Sequence, residues 1–232
     1  MKVIGIMGGM GPVATEELYR RIIQRCQREY NAIQDADYPD IVLYSKALEG
    51  TDETGITDAD LAYKEFIEGI TKLQRGGADF IIIPCNTLHT FIMKLRQHLA
   101  IPVLDMTEET AKRVSRAGLK KVGLLASESA YASKMYDSAL KEQGVFCMTP
   151  TKEDIKALTA VILNVMGGNE SAKDKKTLLK IVGSMVEKGA EAVIVGCTEL
   201  SVILRQDDTE TKLFDALQII AEDAVTESKR YA

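Results

Sequence analysis

Apolar residues along this chain gather in two ways. Short runs with little polar alternation stand at Lys2–Met7 (KVIGIM), Ile41–Ser45, Asp79–Pro84 (DFIIIP), Pro102–Leu104, Lys121–Ala126, Val145–Met148 and Glu191–Gly196. Continuous runs of this kind are what parallel strands covered on both faces require. Between them apolar positions recur at helical spacing. That spacing predicts helices over Pro12–Tyr30, Asp58–Arg75, Thr87–Leu99, Thr107–Ala117, Tyr131–Gln143, Lys152–Met166, Ala172–Lys188 and Asp215–Lys229. Local signals agree: Pro12 stands near the start of the first helix and Arg25 and Arg28 stand late in it. Ser171-x-x-Asp174 opens another helix as a capping box. The acidic, glycine-containing stretch Glu49–Asp60 reads as a loop. Strands alternating with helices predict an α/β fold with parallel sheets.

The pattern runs twice. Lys2–Met7 resembles Lys120–Leu125, 118 residues later. Gly76–Thr87 (GGADFIIIPCNT) resembles Lys188–Glu199 (KGAEAVIVGCTE), 112 residues later. Each of the second pair runs Gly-Ala-acid, an apolar strand, then a cysteine with polar residues behind it. The expected architecture is two pseudo-symmetric parallel-sheet lobes with the active site between them. Residues 1–104 and the C-terminal helix 212–232 form one lobe, and 105–211 the other. A length of 232 residues suits two small lobes that share an interface.

Composition narrows the function. Hydrophobic residues at 46% and charged residues at 27% are ordinary for a globular chain. Twenty-nine basic against 34 acidic residues leave a formal charge of −5. That speaks against a general nucleic-acid binder or a protein of anionic membrane surfaces. No apolar run approaches the roughly 18–20 residues that span a bilayer. Glycines interrupt the N-terminal apolar segment and Glu16 and Glu17 follow it, unlike a signal peptide. Four cysteines in a chain this long do not make a disulfide framework. A soluble, cytoplasmic protein with reduced thiols is expected.

Cys26 and Cys147 fall inside a predicted helix and strand and read as small apolar packing residues. Cys85 and Cys197 recur at the carboxyl ends of matching strands, where open α/β sheets place their ligands. A helix beginning behind each would favour the thiolate. Three chemistries use two such thiols. A redox disulfide usually comes with Cys-x-x-Cys, which is absent. A metal could take Cys85, His89 and Cys197, but no fourth ligand is evident. In two-base proton transfer, one thiolate removes a proton from carbon while the other thiol donates to the opposite face. His89, one turn after Cys85, either tunes that thiol or bonds within its own helix. Gly9-Met10-Gly11-Pro12-Val13-Ala14 formally fits a dinucleotide fingerprint. Pro12, however, removes an amide from the phosphate cradle, and no acidic residue ends the second strand. The glycines fit better as a close backbone approach to a small substrate.

Three segments together, Gly8-Gly9-Met10-Gly11-Pro12-x-Ala14-Thr15, Cys85-Asn86-Thr87-x-His89 and Gly196-Cys197-Thr198-Glu199, resemble the aspartate/glutamate racemase family over essentially the whole chain. The resemblance implies two α/β lobes, an amino-acid substrate, no cofactor (no pyridoxal phosphate), no metal, and usually a homodimer. It implies Cys85 and Cys197 as the paired acid/bases. It also implies Gly9, Met10, Asn86, Thr87, Ser127, Thr198 and Glu199 around the substrate, with Glu199 supporting the second thiol. Aspartate or glutamate is the substrate favoured by family frequency. Dedicated aspartate enzymes of the family hold the side-chain carboxylate with an arginine after the second strand and a lysine in the second lobe. Here those regions read Tyr44-Ser45-Lys46-Ala47-Leu48-Glu49-Gly50 and Val165-Met166-Gly167-Gly168-Asn169, with neither in place. A racemase of neutral or basic amino acids is therefore an alternative, as is a hydantoin racemase or maleate isomerase-type enzyme. Outside enzymes, the alternative is a small-molecule binding protein.

Overall fold

The apolar runs form two parallel sheets in the computed structural model, which describes residues 1–52 and 55–230. The chain divides into two compact units. The first comprises Met1–Asp52, Ile56–Met106 and the chain from Leu217 onward; the second is built on Thr107–Ala216.

In the first unit, β1 (Ile4–Gly8) leads into α1 (Pro12–Tyr30), followed by β2 (Ile41–Ser45) and the short paired strands β3 (Thr51–Asp52) and β4 (Gly55–Ile56). Then come α2 (Ala59–Arg75), β5 (Phe80–Ile82), a 3-10 turn at Thr87–Phe91 and α3 (Ile92–His98). The sheet order is β2-β1-β5, all parallel, with Ile4 beside both Ile41 and Phe80. Asp58 caps α2 by accepting from the Leu61 N–H at 3.0 Å. Phe66, Ile70 and Leu73 on α2 close over Ile81, Ile83 and Leu95 in one apolar cluster. Burying each such side chain contributes about 1.5–3 kcal/mol before entropy is counted.

The second unit repeats the plan with α4 (Met106–Arg116), β6 (Lys121–Leu125), α5 (Glu128–Ser133), α6 (Met135–Glu142) and β7 (Phe146–Met148). It continues through α7 (Lys152–Met166), α8 (Ala172–Glu187), β8 (Ala192–Val195), α9 (Leu200–Ile203) and β9 (Leu213–Asp215). The parallel order is β7-β6-β8-β9. Leu158, Val161 and Ile162 of α7 pack with Ile181 and Val182 of α8 against Leu125, Val193 and Val195. The capping box at Ser171 and Asp174 is formed. The last helix, α10 (Ala216–Ser228), returns to the first unit, where Lys2 pairs with Glu227 at 2.6 Å and donates its backbone N–H to Ser228.

Five features differ from the sequence reading. Predicted helix Thr87–Leu99 is split, because the early turn is a 3-10 turn with the His89 N–H bonded to Asn86. Predicted helix Tyr131–Gln143 breaks at Lys134, whose left-handed backbone (φ 54°) ends α5 and starts α6. Pro102–Leu104 contributes only a single bridge, Val103 to Ile81. The three-residue strand β9 carries no sequence pattern long enough to announce it. Part of the predicted loop Glu49–Asp60 forms β3 and β4; its residues 53 and 54 lie outside the described residues, as do 231 and 232 of the predicted C-terminal helix.

Candidate active site

Register decides what each sheet brings to its carboxyl end. In the first unit the last β1–β2 pair is Gly8 with Ser45, so one further step sets Gly9 beside Lys46. Ile6 pairs with Ile82 in the last β1–β5 pair, and Cys85 follows three residues beyond it. Lys46 and Gly9 stand side by side. In the second unit Leu125 pairs with Val195, and the row beyond it holds Ser127 and Cys197. Each repeated cysteine stands just past the carboxyl end of its strand, Cys85 three residues beyond β5 and Cys197 two beyond β8.

The glycine turn after β1 is braced from within. A Cβ on Gly8 would stand 2.3 Å from the Thr15 methyl, and one on Gly9 would stand 2.3 Å from the Lys46 carbonyl oxygen. Gly9 also has φ of 101°, a backbone region that side chains rarely allow. The Gly9 N–H donates to Thr15 Oγ1 at 2.9 Å, and that hydroxyl donates to the Gly11 carbonyl at 2.9 Å. The Lys46 N–H donates to Gly8 at 3.0 Å. The glycines therefore make room for the protein's own chain. Met10 packs at the edge of the first unit's apolar cluster, as does Cys85.

Cys85 is half-buried, directly after buried Ile83 and Pro84. Its carbonyl accepts from His89 Nδ1 at 2.9 Å. His89 is buried, and its Nε2 stands 3.1 Å from the Met106 N–H. A backbone N–H only donates, so Nε2 is the acceptor and Nδ1 carries the proton. Both ring nitrogens are committed to backbone groups, so the imidazole is a structural clamp. It has no lone pair left for a metal ion. Among the described residues no group of three or more His, Cys, Asp or Glu side chains is placed to hold one. Asn86 is buried and half-buried Thr87 begins the 3-10 turn.

Cys197 is held differently. It is 7% exposed, and its Sγ donates to Glu199 Oε2 at 3.2 Å. The Thr198 hydroxyl donates to the same oxygen at 3.1 Å. Burial pushes the Cys197 thiol well up, and the Glu199 carboxylate beside it pushes the same way. The expectation that the following helix favours thiolate is overridden here. The helix, α9, has four residues, and the Glu199 and Leu200 N–H groups lower the thiol's pKa less than burial raises it. Behind it Ser201 donates to Asp215 at 2.7 Å. A Cβ on Gly196 would lie 3.0 Å from the Tyr136 ring, so this buried tyrosine packs beneath the cysteine turn.

Ser127 is half-buried and caps α5, accepting from the Ala130 N–H at 3.4 Å and meeting the Ser129 hydroxyl at 3.0 Å. Tyr131, which no sequence signal singled out, fixes this corner. Its hydroxyl donates to the Leu124 carbonyl and accepts from the Ala126 N–H, both at 2.9 Å. Burial holds that phenol protonated. All four cysteines are outside any disulfide. Burial raises Cys26, and pushes Cys147 up to about 12. No described helix is long and apolar enough to cross a membrane.

Comparison with known proteins matches this arrangement to one group. Over 226 residues the chain is 30% identical to the broad specificity amino-acid racemase RacX of Bacillus subtilis (strain 168), covering 97% of each. An aspartate racemase homologue from Pyrococcus horikoshii OT3 superposes with TM-score 0.84 and 25% identity, over 99% of this chain and 100% of that one. The aspartate racemase of Picrophilus torridus shares the fold, with TM-score 0.83 at 24% identity over 98% and 94%. A family model described as Asp/Glu/Hydantoin racemase matches residues 7–224. The chain belongs to the Asp/Glu/Hydantoin racemase family and is a racemase, an isomerase of amino-acid substrates.

Proposed function

We propose that this racemase inverts the α-carbon of an amino acid by two-base proton transfer, with Cys85 and Cys197 as the two bases. One observation carries the reading: a cysteine recurs just past the carboxyl ends of equivalent strands, three residues after β5 and two after β8. A thiolate takes the α-proton, and the C–H electron pair moves into the substrate's carboxylate as an enediolate. The other thiol then gives its proton to the opposite face. The enzyme ends with its proton on the other sulfur, ready for the mirror-image turnover.

Backbone N–H groups and hydroxyls at Asn86, Thr87, Ser127 and Thr198, with the backbone of Gly9 and Met10, are assigned to the substrate's carboxylate and ammonium. Donors aimed at the carboxylate matter most as charge builds there, where they stabilise the transition state more than the ground state. Glu199 acts on Cys197: by accepting its S–H bond it keeps that thiol protonated, so Cys197 begins as the donor. The homodimer and a cytoplasmic site of action belong to this reading on the family resemblance. Light scattering after size exclusion tests the first of these.

Incubation of L- and D-amino acids with the protein in D₂O, followed by chiral chromatography and mass spectrometry, tests the reaction. The expected product is the opposite enantiomer carrying one deuterium at Cα. Cys85→Ala and Cys197→Ala are each expected to lower the rate by about 10³-fold or more. Unchanged racemisation by the double variant would refute the two-thiol mechanism.

A further inference from the structure

Lys46 follows β2 directly and stands beside Gly9 of the glycine turn, one residue past the last β1–β2 pair. Its backbone is pressed against Gly9, so its place is fixed. Its ammonium is turned to Glu65 of α2, at 3.0 Å from Oε2, and to the Ala47 carbonyl at 2.7 Å. Glu65 is in turn anchored: the same Oε2 accepts from the Glu49 N–H at 2.8 Å. The two side chains are 24% and 17% exposed, so the pair is largely shielded from water.

From this geometry we infer that Glu65 is a specificity-determining residue, which cancels the charge of Lys46 and thereby turns the enzyme away from amino acids with acidic side chains. The inference rests on the racemase reading above and names its substrate class. An acidic side chain arriving at this end of the sheet would meet a lysine already neutralised by a fixed carboxylate. It would lose its water without gaining a free cation, and like-charge repulsion from Glu65 would add to that loss. A neutral side chain carries neither penalty. The Glu49 N–H and the Lys46 ammonium hold Glu65 below the usual carboxylate range, so it stays ionised at neutral pH.

Glu65→Gln is the discriminating variant, because the amide oxygen still accepts from the Glu49 N–H while the negative charge is gone. The pair L-aspartate and L-asparagine, equal in size, reports the charge preference. The parent enzyme is expected to show higher kcat/KM for asparagine. Glu65→Gln should raise the aspartate-to-asparagine ratio about tenfold or more, and adding Lys46→Met should abolish the gain. A ratio within about threefold of the parent, in a variant whose urea midpoint shows it folded, overturns the inference. A gain that persists without Lys46 also overturns it. Calorimetric titration with the same two amino acids separates this from the reaction itself. If no amino acid exchanges its α-proton, the racemase mechanism falls. Tighter aspartate binding by Glu65→Gln alone would still support the charge filter, and unchanged binding would refute it.

Discussion

The two cysteine turns occupy equivalent places in repeated folds, yet they are held by opposite means. Cys85 is half-buried and fixed through its backbone, by a neutral histidine that grips its carbonyl and the Met106 N–H. Cys197 is buried and fixed through its side chain, by a carboxylate that accepts its S–H hydrogen bond. Duplication of a strand and turn thus preserves where a thiol stands without preserving how it is held. In the two-base reading proposed above, the thiol kept protonated at Cys197 is the one that starts as the acid.

Labelling breaks or sharpens that comparison most directly. Brief treatment with iodoacetamide at neutral pH should modify Cys85 about a hundredfold faster than Cys197, because attack requires both access and thiolate. Peptide mass spectrometry reads the ratio; comparable rates would remove the asymmetry. The histidine clamp comes next. His89→Ala leaves the Met106 N–H and the Cys85 carbonyl without their partner, at a cost of about 2 kcal/mol in urea-unfolding free energy. A loss within experimental scatter would make the clamp incidental. Glu199→Gln tests the other side. Removing the negative charge should bring the Cys197 pKa down and raise its alkylation about tenfold, with Cys85 unaffected.

The smallest effect is a pH dependence. Burial raises Cys197 and Cys147 in the folded chain, the latter to about 12, so folding retains protons that the unfolded chain releases. Their contribution to stability is whole below about 9 and declines as pH rises above it, by up to about 1.4 kcal/mol per pH unit for each group. Urea midpoints at pH 8, 9 and 10 should therefore fall, and fall less steeply in Cys147→Ser. A flat profile would argue that neither thiol is held protonated.

Much of the fold is legible because burial on both faces writes itself as unbroken apolar runs: Ala192–Val195 could hardly be anything but a covered parallel strand. The repeat likewise places both cysteines, since each follows its strand at fixed spacing. What escapes the sequence depends on single bonds between distant residues. Lys134 has no glycine-like signature for its left-handed backbone. The 3-10 turn after Cys85 comes with the reach of His89 to the start of α4, seventeen residues on. Glu65 sits nineteen positions beyond Lys46, so no local pattern pairs them. Glu199 was visible as a neighbour of Cys197, but the direction in which it drives the thiol follows only from burial. The close contacts of Gly8 with Thr15 and of Gly9 with Lys46 are likewise invisible in the sequence.

That last arrangement bears on how relatives of this chain should be judged. Because Thr15 and the Lys46 backbone fill the space that side chains at positions 8 and 9 would need, selection for folding alone would keep both glycines. On the two-thiol reading proposed above, a descendant that lost either cysteine would lose the reaction and still retain Gly8 and Gly9. The glycine pair is thus a marker of the fold, and on that reading the competence of a copy is better judged at positions 85, 197 and 199.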